Sequence, residues 1–491
     1  MNFRLSSTIV LTKFVIKLCR LFKMGGTTLP GKFALKLYPD IAKSISKDFR
    51  VIMVTGTNGK TTTTRIIGQI LTDNKISYIT NKSGANLVYG VITTFIDAVN
   101  TSGKCSSSTA LIEIDEAAFR RMCDFIKPEL LVVTNFFRDQ LDRYGELYST
   151  LRSVSDGLKK SPETKLVLNA DDSLCASLGK DSNRKLLYYG MTNDAYTGSV
   201  ESANSDAMFC IYCKTKYEYS NHVYGHLGDF KCPNCGYSKP GTAITCIKVN
   251  KLTSSNSDIT VLINKKRIYK KADKNTDSCF KRKLSKPFAL NSEFGKEKYN
   301  TTVNLPGLYN IYNSLAAAAC GEMLGLPADK CIQALSSFEC GFGRMETINT
   351  DGKSIKLILV KNPTGFNQVL DYLLTEEKHI QLAFLLNDKY ADGTDISWIW
   401  DVEFEKLTTI QDKMDNVYAA GIRAEDMAVR LKYSGVGTDK ISIIKSYSEL
   451  IDNGLSRMQD RQNFYILPTY TAMLDIRNVL KKKFGLKEFW K

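Results

Sequence analysis

One glycine-rich stretch carries the residue types that bind phosphate. Residues 54–64 have the sequence Val-Thr-Gly-Thr-Asn-Gly-Lys-Thr-Thr-Thr-Thr, and apolar residues precede them and recur at helical spacing after them. This order predicts a strand, a tight turn and a helix N-terminus, whose backbone N–H groups and dipole bind anions. In such a loop the lysine reaches the outer phosphates and the next hydroxyl holds Mg²⁺. The predicted ATP-binding residues here are Gly56, Thr57, Asn58, Gly59, Lys60, Thr61 and Thr62.

Acidic residues follow the next apolar stretch. Residues 110–114 form a predicted strand that ends in Asp115 and Glu116. Carboxylates at the C-terminal end of a strand beside a phosphate loop can hold Mg²⁺, directly or through water. A second interpretation makes Asp115 the N-cap of the following helix, and the two roles can fall to different residues.

Two cysteine pairs predict a zinc site. Each pair has the spacing Cys-x2-Cys, and 18 residues separate the pairs. Four thiolates at this separation can close on one tetrahedral Zn²⁺ without an open position, so the zinc is predicted to be structural. Gly236 suits the tight turn after the second pair, and His226 is expected at the surface or beside the site, not as a ligand. The predicted ligands are Cys210, Cys213, Cys232 and Cys235.

The composition is that of a globular protein with an excess of basic residues. The chain has 491 residues, 43% of them hydrophobic and 24% charged, which suffices for two or three domains. Its net charge of +16 suits an anionic partner, such as a nucleotide, a phospholipid surface or a nucleic acid, and also serves solubility alone. Thirteen cysteines, an odd number, indicate a reducing cytoplasm.

Residues 8–22 have the pattern of a basic amphipathic helix. Lys13, Lys17 and Arg20 interrupt its apolar run, so the helix should not span a bilayer. It can lie on an anionic membrane surface or pack on its own domain, and the sequence leaves both interpretations open.

From residue 50 onward, predicted strands and helices alternate, which indicates an α/β fold with a parallel sheet covered on both faces. Residues 251–300, rich in Lys, Ser and Asn, predict a short β unit and a long exposed loop. We predict an N-terminal helix and lead-in (1–45), an ATP-binding domain (46–345) with a zinc ribbon inserted at about 206–240, and a smaller Rossmann-like α/β domain (346–491).

Segments beyond the phosphate loop resemble the Mur ligase family, whose members join amino acids to peptidoglycan precursors. The family carries the loop Gly-Thr-Asn-Gly-Lys-Thr, a Glu at the end of the next strand, and then Thr-Asn…Asp-His-Leu-Asp and Asn-Ala-Asp-Asp segments. Glu113, residues 135–142 and residues 169–172 match them in this order, with Gln140 in place of a histidine that helps to hold a second metal ion. The resemblance implies that Glu113 and Thr61 hold Mg²⁺.

Two later segments extend the resemblance. Residues 305–317 match the family's Gly-x-His-Asn-x-x-Asn-x-x-Ala-Ala, with Tyr309 in place of the histidine, and residues 343–346 match Gly-Arg-x-Glu. The resemblance places Asn310 and Asn313 near the nucleotide, where amides suit adenine or ribose because they both donate and accept. The plainer interpretation is a capped helix with an Ala-rich buried face. Arg344 would neutralise charge on the transferred phosphate.

The chain is most similar to one branch of the family, the Mur-ligase-like subunits of bacterial lipid II isoglutaminyl synthases. The zinc ribbon and residues 134–146, 362–368 and 391–401 carry this similarity. In that branch the subunit pairs with a GatD-like glutaminase, and the pair converts the α-carboxyl of D-glutamate in lipid II to an amide. The resemblance implies that Asp395 meets the partner's Cys–His pair as the third member of a triad. The alternatives are Asp388, Asp392 and Asp401.

The residue types of the chain agree with carboxylate activation by this subunit and ammonia release by a partner. Activating a carboxylate as an acyl phosphate needs ATP, Mg²⁺ and cations around the phosphates. Releasing ammonia from glutamine needs an activated Cys with a His base. The chain has three histidines, and two of them, His222 and His226, lie in the zinc insertion, so the nitrogen is expected from a partner.

Two other functions stay open. A self-sufficient amino-acid ligase of the Mur or folylpolyglutamate type would act without glutamine or a partner. A zinc-ribbon nucleic-acid-binding ATPase would bind DNA or RNA with a steep salt dependence. The Mur-like segments weigh against the latter, so no nucleic-acid partner is expected. The expected cofactors are ATP, Mg²⁺ and a structural Zn²⁺, and the expected partners are the glutaminase and lipid II. The expected location is the cytoplasm, either free or at the inner face of the membrane.

Overall fold

The computed structural model describes most of the chain. The described residues are 3–21, 28–81, 84–137, 147–180, 182–196, 207–253, 256–265, 267, 295–338, 346–350, 352–459 and 462–486. Element labels below number the helices and strands of these residues.

A nine-stranded sheet dominates the first two thirds of the chain. Its strands lie in the order β11-β10-β9-β6-β5-β4-β1-β3-β2, and all neighbours from β9 to β2 run parallel. The strands are β1 (Arg50–Thr55), β2 (Tyr78–Thr80), β3 (Thr109–Glu113), β4 (Leu130–Val133), β5 (Lys165–Asn169), β6 (Leu186–Met191), β9 (Ile244–Leu252), β10 (Ser257–Asn264) and β11 (Lys296–Val303).

Helices cover both faces of this sheet, because alternate residues of each strand point to opposite sides and both sides are apolar. In β1, for example, Ile52 and Val54 join one buried cluster while Val51 and Met53 join the other. The predicted parallel α/β fold is therefore confirmed. The helices are α1 (Phe3–Leu21), α2 (Thr28–Leu37), α3 (Ile41–Ser46), α4 (Lys60–Asp73), α5 (Val88–Ala98), α6 (Glu116–Met122), α7 (Leu147–Lys160), α8 (Ser173–Ser177), α9 (Leu308–Met323) and α10 (Ala328–Ser337).

One edge of the sheet is antiparallel, since β10 pairs antiparallel with both β9 and β11. The predicted short β unit is present as β10, but the last residues of the range predicted as loop belong to β11, which forms an edge strand. Its sequence, Lys-Glu-Lys-Tyr-Asn-Thr-Thr-Val, is rich in charged side chains, which suit an edge because they oppose further strand pairing. The predicted long loop lies outside the described residues.

The zinc insertion lies between β6 and β9 in the sequence. It contains an antiparallel hairpin of β7 (Glu218–Tyr224) and β8 (Leu227–Lys231), flanked on either side by one of the two cysteine pairs. The hairpin thus connects the two halves of the cysteine cluster.

A second, six-stranded sheet forms what we call the C-terminal domain. Its order is β12-β13-β17-β14-β15-β16, parallel apart from the β12–β13 pair. Its strands are β12 (Glu346–Thr350), β13 (Lys353–Leu357), β14 (Ile380–Leu385), β15 (Met414–Ala420), β16 (Ile441–Ile443) and β17 (Asn463–Pro468). Its helices are α11 (Pro363–Leu374), α12 (Ala424–Tyr433), α13 (Tyr447–Arg457) and α14 (Tyr470–Phe484), with 3₁₀ helices at Ser397–Asp401 and Phe404–Lys413.

The N-terminal helix α1 packs against α2 and α5, on the outer side of the helices that cover the nine-stranded sheet. Only one of its faces is buried, through residues such as Ile9, Thr12 and Ile16. In the part of the chain that the structure describes, no helix combines the length and apolar character needed to cross a membrane.

Candidate functional site

The phosphate loop lies between the end of β1 and the start of α4. Gly56 and Gly59 adopt positive φ angles of 121° and 82°, which other residues rarely adopt. A Cβ atom at Gly56 would lie 2.3 Å from Oγ1 of Thr134, and one at Gly59 would lie 2.0 Å from Oδ1 of Asn313. Both glycines are therefore required by backbone conformation and by close packing.

Lys60 is the first residue of α4 and is buried inside the loop. Its Nζ donates to the carbonyl oxygen of Gly56 at 2.6 Å and forms an ion pair with Glu116 at 2.9 Å. Burial alone would lower the pKa of Lys60, but Glu116, with Asp115 and Glu113 nearby, raises the pKa above its usual value. The ammonium group is thus held charged next to the loop.

The predicted Mg²⁺ ligands are Thr61, one residue into α4, and Glu113, the last residue of β3. Glu113 pairs in register with Val54, so its side chain belongs to the strand directly beside the loop. Asn81 fixes the backbone of Glu113: its side-chain amide accepts from the N–H of Glu113 and donates to the carbonyl oxygen of the same residue. A hydroxyl and a carboxylate are donors that suit Mg²⁺.

Asp115 has the other role considered for it. Its Oδ1 accepts hydrogen bonds from the backbone N–H groups of Ala117 and Ala118, so it is the N-cap of α6. Asp115 therefore caps a helix and Glu116 pairs with Lys60, while Glu113 stays the predicted metal ligand.

A second loop supports the first. Asn135 Oδ1 accepts from the backbone N–H of Asn58 at 2.9 Å, and Thr134 Oγ1 donates to the Asn58 carbonyl at 2.7 Å. The Asn-Ala-Asp-Asp segment supports this second loop in turn, because Asn169 donates to the Thr134 carbonyl and Asp172 accepts from the backbone of Phe136. Two of the motifs found in the sequence therefore act by positioning the phosphate loop.

Asn310 and Asn313 lie on the first turns of α9, buried against the loop. Asn313 donates to Asn310 at 3.0 Å and accepts from Thr63 at 3.3 Å. Asn310 in turn donates to the carbonyl of Pro306. Asn313 lines the neighbouring cleft, whereas Asn310 orients it from behind.

The cleft lies between the phosphate loop and the C-terminal domain, with a volume of about 710 Å³ that includes its open mouth. Asn58 and Asn313 line one side and residues 358–369 of the C-terminal domain line the other, and two tyrosines complete the wall. They are Tyr224 from the zinc insertion and Tyr309.

The four predicted zinc ligands come together. Their sulfur atoms all lie within 4.8 Å of one another, with Cys213 and Cys232 at 3.3 Å and Cys210 and Cys235 at 3.5 Å. These distances are too long for disulfides, and four thiolates about 2.3 Å from a shared ion suit Zn²⁺. Lys214 and Gly236, each four residues after the first cysteine of its pair, both have positive φ angles. The cluster therefore fits zinc.

The zinc insertion is attached to the core of the ATP-binding region. Lys239 forms an ion pair with buried Asp171 at 2.7 Å, and the backbone N–H of Gly228 donates to the Asp171 carbonyl. The ring of Tyr224 stacks on Phe137. Of the two places expected for His226, the surface is wrong: His226 is fully buried, with Nε2 3.4 Å from Asp172, because the hairpin inserts against the core.

Asp395 lies in the C-terminal domain, just before a 3₁₀ helix. It is half-buried, and its two oxygens accept from the backbone N–H and the hydroxyl of Ser397. The alternative Asp392 is buried, and its Oδ1 accepts a hydrogen bond from the backbone N–H of Thr471. Asp388 lies 3.5 Å from Arg423.

Two residues named in the sequence analysis lie outside the described part of the chain, and two residues beside the cleft had no predicted role there. Arg344 and Gln140 lie outside the described residues. The motifs did not point to Tyr224, and they included Asn362 only as part of the similarity over residues 362–368 and not as a neighbour of the phosphate loop. Each residue is distant in sequence from the loop that it approaches. Asn362 Nδ2 donates to Asn58 Oδ1 at 3.1 Å.

Two family models match the chain: Mur ligase middle domain over residues 54–235 and MurT ligase C-terminal over residues 359–473. The chain is 34% identical to the MurT subunit of glutamine-hydrolysing lipid II isoglutaminyl synthase from Streptococcus pneumoniae, with 93% of each chain covered. It is 30% identical to the MurT subunit from Staphylococcus aureus, with 97% of this chain and 98% of the relative covered.

Solved structures are similar in fold. The pseudomurein peptide ligase type C of Methanothermus fervidus superposes with a TM-score of 0.63 at 20% identity, covering 91% of this chain and 81% of that one. MurF from Acinetobacter baumannii gives a TM-score of 0.60 at 13% identity, covering 91% and 80%. At these identities the likeness concerns the fold alone.

Proposed function

This chain belongs to the MurT family, the ATP-dependent ligase subunits of glutamine-hydrolysing lipid II isoglutaminyl synthases, and we propose that it amidates the D-glutamate α-carboxyl of lipid II. The ammonia would come from a GatD-like glutaminase bound to the C-terminal domain. The proposed roles of the two subunits are supported by the cleft, where the phosphate loop faces the C-terminal domain that carries Asp395.

In the first step, an oxygen of the substrate carboxylate attacks the γ-phosphorus of ATP, and ADP leaves with the electrons of the broken bond. The loop around Gly56 and Gly59 holds the phosphates with its backbone N–H groups, and Lys60 leaves Glu116 to neutralise them. Asn313 and the two tyrosines of the cleft would hold the nucleoside. Arg344 is proposed as a further cation at the transferred phosphate.

Thr61 and Glu113 are the residues proposed to hold Mg²⁺. When bound, the ion neutralises charge on the phosphate oxygens. Asn81 contributes by fixing the backbone of Glu113 at the strand end.

In the second step, ammonia attacks the acyl carbon, phosphate leaves with the bonding electrons of the acyl–oxygen bond, and the nitrogen gives up one proton to the departing phosphate or to water as the amide forms. Among the described residues, the neighbours of the three histidines are acidic or aromatic: His226 lies near Asp172, His222 stacks on Tyr219, and His379 forms a hydrogen bond with Asp415. Ammonia is therefore assigned to the partner, and Asp395 is proposed to orient the partner's catalytic imidazole.

The reaction is placed in the cytoplasm, at the inner face of the membrane, because the proposed acceptor is lipid-linked. Zn²⁺ is proposed to be structural, held by the four cysteines. The self-sufficient ligase and the nucleic-acid-binding ATPase are not favoured, since MurT relatives match nearly the whole chain.

An amidation assay tests the proposal. The purified chain, ATP, Mg²⁺ and lipid II are given ammonium or glutamine, each with and without a GatD-like partner, and lipid II is followed by mass spectrometry. We expect amidation with ammonium in both arms and with glutamine only when the partner is present. Failure in every arm, while ATP is consumed with an amino-acid acceptor, would favour the self-sufficient ligase instead.

A further inference from the structure

The outward face of α1 is apolar. Six of its large side chains are between 36% and 85% exposed to solvent, and their spacing of three, four or seven residues puts them on one side of the helix. We call this set the apolar face. It consists of Phe3, Val10, Leu11, Phe14, Leu18 and Leu21.

The opposite face of α1 packs on α2 and α5 and includes two buried threonines, Thr8 and Thr12. A helix whose only role is to pack on its own domain turns its most apolar side inward. Here both phenylalanines of α1 point outward. Exposed apolar surface of this extent marks an interaction site.

Polar contacts hold α1 in this orientation. Arg4 donates to the carbonyl of Leu37 at 2.9 Å, Arg20 forms an ion pair with Asp97 at 2.6 Å, and Lys13 donates to the Asp97 carbonyl. These contacts lie near both ends and the middle of the helix. Rotation of the apolar face toward the core would break all three.

The surroundings of the apolar face are strongly basic. Residues 1–45 contain eight Lys or Arg and one Asp, a net charge of +7 out of +16 for the chain. Lys17 on α1, and Lys32 and Lys36 on α2, are exposed. A second copy of this chain would bring a like-charged surface to the same place, so the charge favours an anionic occupant.

We propose that the apolar face of α1 is a docking surface for a bilayer that contains anionic phospholipid. The helix would lie in the plane of the interface, with Phe14 and its neighbours at the headgroup–acyl boundary and Lys17 among the phosphates. The proposal deepens the proposed function, on which its purpose rests, because a lipid-linked acceptor is presented at such a surface.

Vesicle flotation tests this inference with the full-length, zinc-loaded chain and vesicles that contain no lipid II. We expect binding to phosphatidylglycerol vesicles and weaker binding to phosphatidylcholine vesicles. Phe14→Ser/Leu21→Ser should lower the partition coefficient roughly tenfold or more, since insertion scales with buried apolar area. The matched control, Ile422→Ser/Val429→Ser, removes exposed apolar side chains from the C-terminal domain and should bind as the wild type does.

A second measurement reports by tryptophan fluorescence whether the apolar face enters the bilayer. In a Phe14→Trp variant, the added tryptophan emission should shift to the blue when phosphatidylglycerol vesicles are added. An unshifted spectrum, or flotation that survives Phe14→Ser/Leu21→Ser, would overturn the inference. The inference would also be overturned if the spectrum were blue-shifted without vesicles and the chain formed a dimer that Phe14→Ser/Leu21→Ser dissociates. A second copy of the chain would then cover the apolar face.

The two proposals fail in different ways. Amidation of a soluble analogue of the stem peptide depends on the ATP site and not on α1. Vesicle binding is measured without ATP or acceptor. A chain that floats but does not amidate would therefore contradict only the proposed function, and one that amidates the soluble analogue but does not float would contradict only the docking surface.

Discussion

The side-chain amide of Asn362 donates a hydrogen bond to Oδ1 of Asn58 across 3.1 Å, which joins the C-terminal domain to the tip of the phosphate loop. Asn362 is also the N-cap of α11, where its Oδ1 accepts from the backbone N–H of Gly365. The opposite side of the loop is held by Asn135, which bonds the backbone of Asn58. The loop is thus fixed from both walls of the cleft.

Substitution of Asn362 should weaken ATP binding. Asn362→Ser keeps a capping oxygen for α11 but is too short to reach Asn58, so we expect KM for ATP to rise roughly three- to tenfold, the value of one lost hydrogen bond. Steady-state kinetics with ammonium as nitrogen donor measure this. Ser446→Ala, which removes the N-cap of α13 in the same domain, is the control and should leave KM unchanged. An unchanged KM in Asn362→Ser would show that the contact is not used.

Removing zinc should disturb the nucleotide site as well as the ribbon. Cys213→Ser breaks the cluster, and the hairpin that carries Tyr224 into the cleft would lose its anchor. We expect one Zn²⁺ per wild-type chain by mass spectrometry of the metal, loss of that zinc in Cys213→Ser, and a fall in ATP affinity of roughly tenfold by calorimetry. Cys105→Ser, outside the cluster, should keep both properties. Loss of zinc with unchanged ATP affinity would show that Tyr224 is positioned without the metal.

Lys60 should be required for phosphoryl transfer. Lys60→Met removes the cation and should lower ammonium-dependent amidation by roughly 10²–10³-fold, as expected for one electrostatic contact to the transferred phosphate. It also leaves Glu116 buried and unpaired by Lys60, which destabilises the fold. Lys60→Met/Glu116→Gln removes that carboxylate charge, so it should recover thermal stability without recovering activity. Recovery of activity would contradict the role of Lys60.

The sequence was sufficient for features whose residues are contiguous. The phosphate loop and the cysteine pairs each lie in short segments whose spacing determines their geometry, and the structure brings each together as expected. The positions of Tyr224 and Asn362 beside the phosphate loop could not be predicted, because Asn362 is 304 residues from Asn58 and only the folded chain brings such residues into contact.

Hydrophobic pattern alone was insufficient in two other places. For β11, charged and polar side chains on an edge strand gave no strand pattern, and only pairing with β10 identifies it. For α1, the pattern indicated an amphipathic helix but not which face packs, and the structure leaves both phenylalanines, Phe3 and Phe14, exposed to solvent.

Glu129, at the N-terminal ends of the central strands and opposite the phosphate loop, should make the free energy of unfolding depend on pH in the acid range. Glu129 accepts from Arg50 at 2.9 Å and from Lys165 at 3.0 Å, where β1, β4 and β5 begin. Burial alone would raise its pKa, but Arg50 and Lys165 lower the pKa from 4.5 to about 2. Because the folded-state pKa is the lower one, the stabilisation is complete above pH 4.5 and is lost as the pH falls toward 2.

Glu129→Gln should therefore lower the free energy of unfolding at pH 7 by about 1–3 kcal/mol and flatten its dependence on pH in this acid range. Urea unfolding at pH 7, 4.5 and 3 measures both effects. Asp124→Asn, which breaks an exposed pair with Lys160, should change the free energy of unfolding by less than about 0.5 kcal/mol. Equal effects of the two substitutions would contradict the assignment.

Asp395 should be needed for glutamine and not for ammonia. Asp395→Asn keeps an oxygen that accepts from the backbone N–H of Ser397, and its amide N–H can donate to the Ser397 hydroxyl, which the carboxylate accepts from. An amide cannot stabilise an imidazolium on the partner. We expect glutamine-dependent amidation with a GatD-like partner to fall by roughly 10²–10⁴-fold, while ammonium-dependent amidation stays at the wild-type rate. Asp401→Asn, six residues along the chain, is the matched control and should affect neither donor. If Asp395→Asn slowed both donors equally, the carboxylate would serve the synthetase site or the fold. If only Asp401→Asn lost the glutamine reaction, the third member of the triad would be Asp401.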